Sequence, residues 1–471
     1  MTTRIKTDVC ILGAGSGGLT VAAGAVQMGA KVVLIEGGRM GGDCLNYGCV
    51  PSKAMIAAGH HAHAQAHSAD FGIANVTPQV NYAAVKDHVA GVIASIAPHD
   101  SVERFEGMGV QVIQDYGTFI SQDEVQAGDT IVQARRFVIA TGSSPLVPPI
   151  EGLDTVEYHT NETIFDLRDT PEHLIIVGGG PIGMELAQAH ARLGIRVTVV
   201  EGSKVLPKDD PELVAIALRN IRADGVTIEE GFQVARVSSD NGITVHSDDG
   251  RAVQGSHLLV AVGRKANIGR LDLDRAGVKH DRSIEVDNGL RTSNRRIYAI
   301  GDVTGGLQFT HKASYDAGVI IRSMLFGLPS KVRTDHIPWV TYTDPEVAQI
   351  GQTEAQAQDA HGDKLEVLRF TFDQNDRAQA ERRTEGLIKV MVVGGKPVGA
   401  SIVGLRAGEL IQPYVLAIAN GLKISALTNM VSPYPTMTEV TKRAAGQYYT
   451  PRLFENDWVK RVVGFVQKYL P

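Results

Sequence analysis

Residues 8–36 read DVCILGAGSGGLTVAAGAVQMGAKVVLIE. The apolar run 8–12 reads as a buried parallel strand. Gly13, Gly15 and Gly18 then fit Gly-x-Gly-x-x-Gly. A helix rich in Ala and Val is expected to run to about Met28, where Gly29 stops it. Residues 31–35 form the next strand, which Glu36 closes. The glycines permit a tight turn and let a pyrophosphate approach the helix N-terminus. Glu36 stands where an acid accepts hydrogen bonds from a ribose. A lone glycine fingerprint carries little weight; strand, helix, strand and acid in register carry much more. Cys10, inside the first strand, reads as inert core.

The pattern returns. Residues 173–177 read as a strand, Gly178, Gly180 and Gly183 as the loop, and 197–200 as a strand closed by Glu201. Positions 13 and 178 differ by 165, and so do 36 and 201. Two units with the same internal spacing imply two dinucleotide sites. Between them lies GGDCLNYGCVPSK, residues 41–53, with Cys44 and Cys49. That spacing is too wide for a Cys-x-x-Cys metal knuckle or thioredoxin motif. One helical turn still brings two such sulfurs within bonding distance. Pro51, Ser52 and the apolar run 54–58 put the pair where a helix starts, and its N-terminal dipole favours a thiolate. The pair reads as catalytic or redox-active; the alternative is two buried free thiols. Beside two dinucleotide sites, a redox pair makes the chain an electron relay.

The bulk numbers set the frame. A chain of 471 residues holds about three domains. Lys plus Arg total 46 against 52 Asp plus Glu, a net −6 that suggests no nucleic-acid surface. Three cysteines in so long a chain argue against a secreted disulfide scaffold. The N-terminal apolar run breaks into glycines and reads as a strand, not a signal peptide. No stretch approaches the ~18 to 20 apolar residues that span a bilayer, so the expected location is the cytoplasm. His60, His63 and His67 share a helical face beside His61, but no Asp, Glu or Cys sits among them, and no metal site is expected. VIATGS at 138–143 reads as a strand ending in a glycine turn, with Thr141 and Gly142 at its end. Residues 144–152 read as a proline-stiffened linker. VAVGRKAN at 260–267, with Gly263, closes the second unit, and IYAIGD at 297–302 ends a buried strand in Gly301-Asp302. From about His336 strands such as 388–393 and 398–403 alternate with helices such as 407–420, without a nucleotide signature. The expected fold is α/β: two Rossmann-like dinucleotide-binding domains and an α+β C-terminal domain for dimerisation. The boundaries are 1–150, 151–270, a return of the first domain at 271–335, and 336–471.

GAGSGG with Glu36, GGDCLNYGCVPSK, ATGS, GGGPIGME, AVGRKAN and IYAIGDV occur together in this order. In this the whole chain resembles the flavoprotein disulfide reductases, the group of dihydrolipoamide dehydrogenase, glutathione reductase and mercuric reductase. The resemblance implies FAD on the first unit, NADH (NADPH less so) on the second, and a homodimer built by the C-terminal domain. It places Gly13, Gly15, Gly18 and Glu36 on the FAD pyrophosphate and ribose, and Gly41, Gly42 and Lys53 along the flavin. Asp302, after Gly301, holds the ribityl chain, and Thr141 and Gly142 belong to the same cofactor site. Gly178, Gly180, Gly183 and Glu201, with Gly263, hold the nicotinamide nucleotide. Lys53 and Glu185 match an ion pair beside the flavin; the plainer reading of Glu185 is a solvated residue opening a helix. Electrons would pass from NADH through the flavin to a Cys44–Cys49 disulfide, and on to a small-molecule or protein disulfide or dithiol. Cys49 would be the thiolate facing the flavin and Cys44 the one exchanging with substrate.

Two departures from the family pattern stand out. Members acting on dithiols carry a His-Pro-Thr segment that ends in Glu, whose His is an acid–base catalyst contributed across the dimer. Here Tyr434 takes the histidine position ahead of Glu439, as in mercuric reductases. Unlike those enzymes, this chain has no cysteine after Cys49. Tyr434 is a poor general base near neutral pH, with Glu439 expected to raise its pKa. Asp43 stands where Thr is usual, and a carboxylate there disfavours a Cys44 thiolate. The alternatives are therefore a mercuric reductase-like metal-ion reductase and, from another class, an NADH-sensing flavoprotein acting through a partner. In the tail, WVKRVVGFVQKYL sets Trp458, Val459, Val462, Val463, Val466 and Tyr469 opposite Lys460, Arg461, Gln467 and Lys468. This amphipathic helix either packs on the interface domain or meets a membrane surface or partner.

Overall fold

The computed structural model describes residues 3–239 and 242–470. Two compact units emerge: Met1–Ser203 with Thr227–Val332, and Lys204–Val226 with Arg333–Pro471. In the first unit the strand Thr3–Leu12 pairs in parallel with Val32–Ile35 on one side and Thr130–Ile139 on the other. The strand Gln111–Ile113 extends this sheet beyond Val32–Ile35. Ile297–Ala299 returns from far along the chain to pair in parallel with Thr130–Ile139. These strands are Val/Ile-rich runs because helices cover parallel sheets and bury both faces. Val9, Ile11, Leu34 and Val138 pack against Leu19, Val21 and Ala22 of the helix Ser16–Gln27. Each Val, Leu or Ile among these contributes roughly 1.5–3 kcal/mol on burial. Cys10 is fully buried, and burial pushes its thiol up.

A second parallel sheet follows, in the order Thr227–Glu230, Arg196–Glu201, His173–Val177, His257–Val260. The expected linker at 144–152 is structured at its start. Ser143–Pro145 pairs antiparallel with Arg264–Ala266, so the chain's paths into and out of the second nucleotide segment form one ribbon. Prolines tolerate such an edge ribbon because they need donate no ladder bond there.

The second unit is built on an antiparallel sheet in the order Trp339–Thr341, Glu346–Gly351, Lys396–Gly404, Leu387–Val393, Leu365–Thr371. The helix Pro211–Ala223 packs Leu213 and Ala217 on Val347, Leu387 and Val403 of that sheet. Lys389 lies buried beneath it, with Nζ 2.9 Å from Asp210, 2.7 Å from Glu212 and 2.7 Å from Glu354. The helix expected over 407–420 is two, Ala407–Leu410 and Gln412–Ala419. Pro413 explains the break: it lacks the N–H that would bond the carbonyl of the preceding turn. The tail corrects another expectation. The helix Asp457–Tyr469 forms, capped by Asn456, but buries no residue, so its apolar face does not pack on the interface domain of its own chain. No described helix is long and apolar enough to cross a membrane.

Candidate active site

The two glycine loops are the same object built twice. Gly13 and Gly178 adopt φ +104° and +117°, left-handed backbone open to glycine. A Cβ on Gly18 would overlap the Gly13 carbonyl oxygen, and one on Gly183 the Gly178 oxygen. The helices Ser16–Gln27 and Pro181–Arg192 begin at Gly15 and Gly180, neither with a side-chain cap, so their first N–H groups face outward for an anion. Glu36 accepts from Ala14 N at 2.5 Å and Gly38 N at 2.6 Å. Glu201, 165 residues on, accepts from Gly179 N at 2.7 Å and Ser203 N at 2.9 Å. Each acid ties its strand end to the glycine loop. Gly41 and Gly42, at φ +86° and +61°, bring the next segment against the first loop, where a Cβ on Gly42 would stand 2.8 Å from Gly15 Cα. This cradle fits the pyrophosphate of FAD in the first loop and of a nicotinamide nucleotide in the second.

Cys44 lies in the short helix Gly42–Asn46, and Cys49 is the first residue of the helix Cys49–Ala66. Only Cys49 therefore sits at the long helix's start. The Cys44 thiol hydrogen-bonds to Cys49, which lowers the Cys49 pKa against the burial that raises it. The Thr310 hydroxyl, 3.3 Å from Cys49 Sγ, and the charge of Lys53 lower it further. The same pairing, with burial, raises Cys44. Four residues along the helix from Cys49, Lys53 Nζ lies 2.7 Å from Glu185 Oε2. Glu185 is buried on the helix Pro181–Arg192, so the solvated reading of this acid does not hold.

Asp43 raises both thiols, but as the smallest of the influences on each. The reason is its company. Arg264 sits 3.0 Å from Asp43 Oδ1, and Asn161 Nδ2 donates to the same oxygen at 3.1 Å. Arg264 also donates to Ser143 Oγ and to the Ser143 carbonyl, each at 2.7 Å. Ser143 Oγ in turn donates to Asp302 at 2.6 Å. Burial pushes the Asp302 carboxyl up, and Ser143 and Arg264 oppose it. Gly301 N donates to buried Asp316 at 3.0 Å, itself paired with Lys312 at 2.5 Å. Thr141 donates to Asn267 O at 2.8 Å, and Gly142, at φ +66°, turns the chain beside it. Gly263, at φ +138°, turns the chain just before Arg264.

Tyr434 and Glu439 belong to the second unit. The exposed Tyr434 hydroxyl donates to Asp376 Oδ2 at 3.0 Å. Asp376 is the main cause raising its pKa; Glu439, expected in that part, is a minor one. Glu439 instead lines a cavity of ≈ 380 Å³ with Thr428, Ser432, Lys442, Arg443 and Gly446. Glu439 Oε2 and Ser432 Oγ are buried there without a hydrogen-bond partner among the described residues. At the end of the helix Cys49–Ala66, His63 and the capping His67 stack at 4.0 Å, and among the described residues no three His, Cys, Asp or Glu cluster as metal ligands. Sequence reading missed Thr310, Asn161 and Asp376, which lie in no quoted spacing relation to their partners. Ser143 stood inside VIATGS and Arg264 inside AVGRKAN, and both were open to notice.

Residues 7–317 match the family model for the pyridine nucleotide-disulphide oxidoreductases, and 337–445 match that family's dimerisation domain. The chain belongs to this family. It is an FAD-dependent enzyme that uses NAD(P)H, and it forms a homodimer through its dimerisation domain. A mercuric reductase of Streptomyces lividans is 36% identical over 455 residues, covering 93% of this chain and 95% of the relative. A dihydrolipoyl dehydrogenase of Geobacillus stearothermophilus is 33% identical over 457 residues, covering 94% and 96%. Among solved structures, LpdA from Mycobacterium tuberculosis superposes with TM-score 0.87 at 27% identity, covering 95% of this chain and 99% of that one. A Cu(II) complex of the HOCl-induced flavoprotein disulfide reductase RclA from Escherichia coli superposes with TM-score 0.84 at 27% identity, covering 94% and 99%.

Proposed function

We propose that this enzyme carries electrons from NADH to the Cys44–Cys49 pair and from there to a disulfide or dithiol-type substrate. The observation that carries the reading is the polarised pair: Cys49 held toward thiolate by Cys44, Thr310 and Lys53, and Cys44 held toward thiol. FAD, when bound, supplies the two-electron chemistry linking the nicotinamide to the sulfurs. In this reading residues 1–150 and 271–335 hold FAD, 151–270 hold the nucleotide, and 336–471 make the dimer. The return of Ile297–Ala299 to the first sheet supports the split FAD segment. Cys44 passes its proton to the hydrogen-bonded Cys49 thiolate and attacks one sulfur of the substrate disulfide; the other leaves as a thiolate, which takes that proton and restores the Cys49 thiolate. Cys49 then attacks Cys44, closing the Cys44–Cys49 disulfide and releasing the second thiolate. The two electrons lost by the pair are the two the substrate gains. Lys53, fixed by Glu185, keeps positive charge beside Cys49, and Arg264 screens Asp43 from both sulfurs. Tyr434 is not a base; its single O–H donates to Asp376, and it serves a leaving thiolate by exchanging that hydrogen bond for one to sulfur.

Two experiments test this. Cys44→Ser holoprotein should show a long-wavelength charge-transfer band without reduction, and Cys49→Ser none even when reduced. The reverse assignment of bands would exchange the two roles, and no band in reduced wild type would uncouple the pair from the flavin. A turnover panel of lipoamide, small disulfides, quinones, oxygen and Hg(II) then separates substrates. Metal-ion reduction is the second reading, supported by Tyr434 and by the mercuric reductase relatives, and opposed by the lack of any cysteine after Cys49. Turnover of Hg(II) well above that of every disulfide would favour it. Little turnover of any acceptor, with tight capture of a partner, would favour an NADH-sensing role.

A further inference from the structure

The helix Asp457–Tyr469 is fully formed and carries its apolar side chains in the open. Asn456 fixes its start by accepting from Trp458 N at 3.0 Å and Val459 N at 3.3 Å. Trp458 is 70% exposed, Phe465 60% and Tyr469 60%, and Val462, Val463 and Val466 are exposed beside them. Phe454, in the preceding helix Thr450–Phe454, and Leu470 extend the same kind of surface. At 100° per residue, the apolar arc from Phe465 through Trp458 and Val462 to Val463 covers roughly 160°. The seam for a single partner helix is narrower, two positions in seven. The aromatics gather at one side of this arc, next to the polar face. Beyond the first turn, the charges of that polar face are Lys460, Arg461 and Lys468, all cationic, in a chain whose net charge is −6. The acid near them is Asp457 in the first turn, 3.9 Å from Lys460.

We propose that this helix lies on the surface of an anionic phospholipid bilayer and holds the enzyme there. A wide apolar face sinks to the acyl boundary, Trp and Tyr settle at headgroup depth, and cations along the flank meet lipid phosphates. Pairing the helix with its own copy would instead cover only a narrow seam of this face and leave the cationic flank outside the contact. Three cations predict a preference for anionic over neutral vesicles on the order of tenfold or more.

The test is co-sedimentation of the full-length holoprotein with vesicles of phosphatidylcholine alone and of phosphatidylcholine mixed with phosphatidylglycerol. Wild type should pellet with the anionic vesicles and be released by high salt. Val462→Asp with Phe465→Asp should lower partition about tenfold or more. Lys460→Glu with Lys468→Glu should abolish the preference for anionic lipid. Both variants should keep the dimer mass by light scattering and the wild-type rate of flavin reduction by NADH. Any one of three results overturns the proposal: no pelleting of wild type, equal pelleting of the Val462→Asp/Phe465→Asp variant, or dissociation of that variant into monomers. The last would show that a second copy of the chain covers this face.

Discussion

At the scale of single residues, the partners of two side chains decide what they do. Tyr434 is held as a phenol because its hydroxyl donates to Asp376, which raises its pKa. A histidine there, titrating near ~6.5, would be mostly neutral at pH 7 and able to take a thiol proton. Wild type should therefore oxidise dihydrolipoamide with NAD⁺ slowly, and Tyr434→His should raise that rate on the order of tenfold or more near neutral pH. Robust wild-type activity, undiminished in Tyr434→Phe, would mean another group is the base. Lys86 is the second case. It is buried, donating to Ile164 O at 2.8 Å and lying 4.7 Å over the Tyr82 ring, with buried His190 hydrogen-bonded to the Tyr82 hydroxyl. Burial lowers Lys86 to about 7, against the attraction of Asp166, and lowers His190 to about 3. Between the folded lysine's value of about 7 and the unfolded lysine's ~10.4, the unfolded chain holds the extra proton, so stability rises with pH across this window. Lys86→Met removes this dependence. Its stability relative to wild type should improve as pH falls from 10 to 7, by up to about 1.4 kcal/mol per pH unit. Denaturant melts at several pH values that gave parallel curves would refute the assignment.

At the scale of elements, the repeated glycine loop allows one site to be tested against the other. A methyl on Gly183 must displace the Gly178 carbonyl, and overpacking of this kind costs about 1–3 kcal/mol. Gly183→Ala should keep bound FAD yet raise the NADH KM by roughly ten- to a hundredfold. Loss of the flavin absorbance in Gly183→Ala would show that the two loops do not act separately. The acid closing each unit gives the companion prediction. In the proposed function the Glu201 carboxylate meets the nucleotide ribose and repels a 2′-phosphate, which would favour NADH over NADPH by roughly 1–3 kcal/mol. Stopped-flow reduction that is equally fast and equally tight with NADPH would sink this.

For the whole molecule, the helix Pro211–Ala223 lies in sequence within the nucleotide segment but packs with the C-terminal sheet. Lys389 is its anchor. Burial alone would lower the Lys389 pKa, yet Glu212, Glu354 and Asp210 together hold it above the ordinary lysine value. Removing this cation leaves Asp210 buried and unmatched, a change that typically costs about 3–5 kcal/mol. Lys389→Ala should lose stability of that order in denaturant titration, and Lys389→Arg much less. An unshifted midpoint in Lys389→Ala would show that apolar packing, not the ion cluster, holds the helix.

Local spacing was enough to determine the α/β class and the two nucleotide units, because a glycine loop, its helix and its closing acid are set by residues close in the chain. It also made Cys44 and Cys49 legible as a pair in one short stretch, whereas Lys53, about one turn beyond Cys49 on the same helix, came from the family resemblance. Glu185 needed the family resemblance, and its burial needed the fold. What only tertiary structure decided is the company each group keeps. Thr310 reaches Cys49 across 261 positions, Asp376 reaches Tyr434 across 58, and Arg264 reaches Asp43 and Ser143 from the far end of the second nucleotide segment. Pairings of that kind are fixed by where strands and helices stack, and no spacing rule encodes them. The tail shows the division most plainly. Its amphipathic pattern is sequence, but whether the apolar face meets its own domain or the solvent depends on the packing of everything before it, and the fold leaves that face outward.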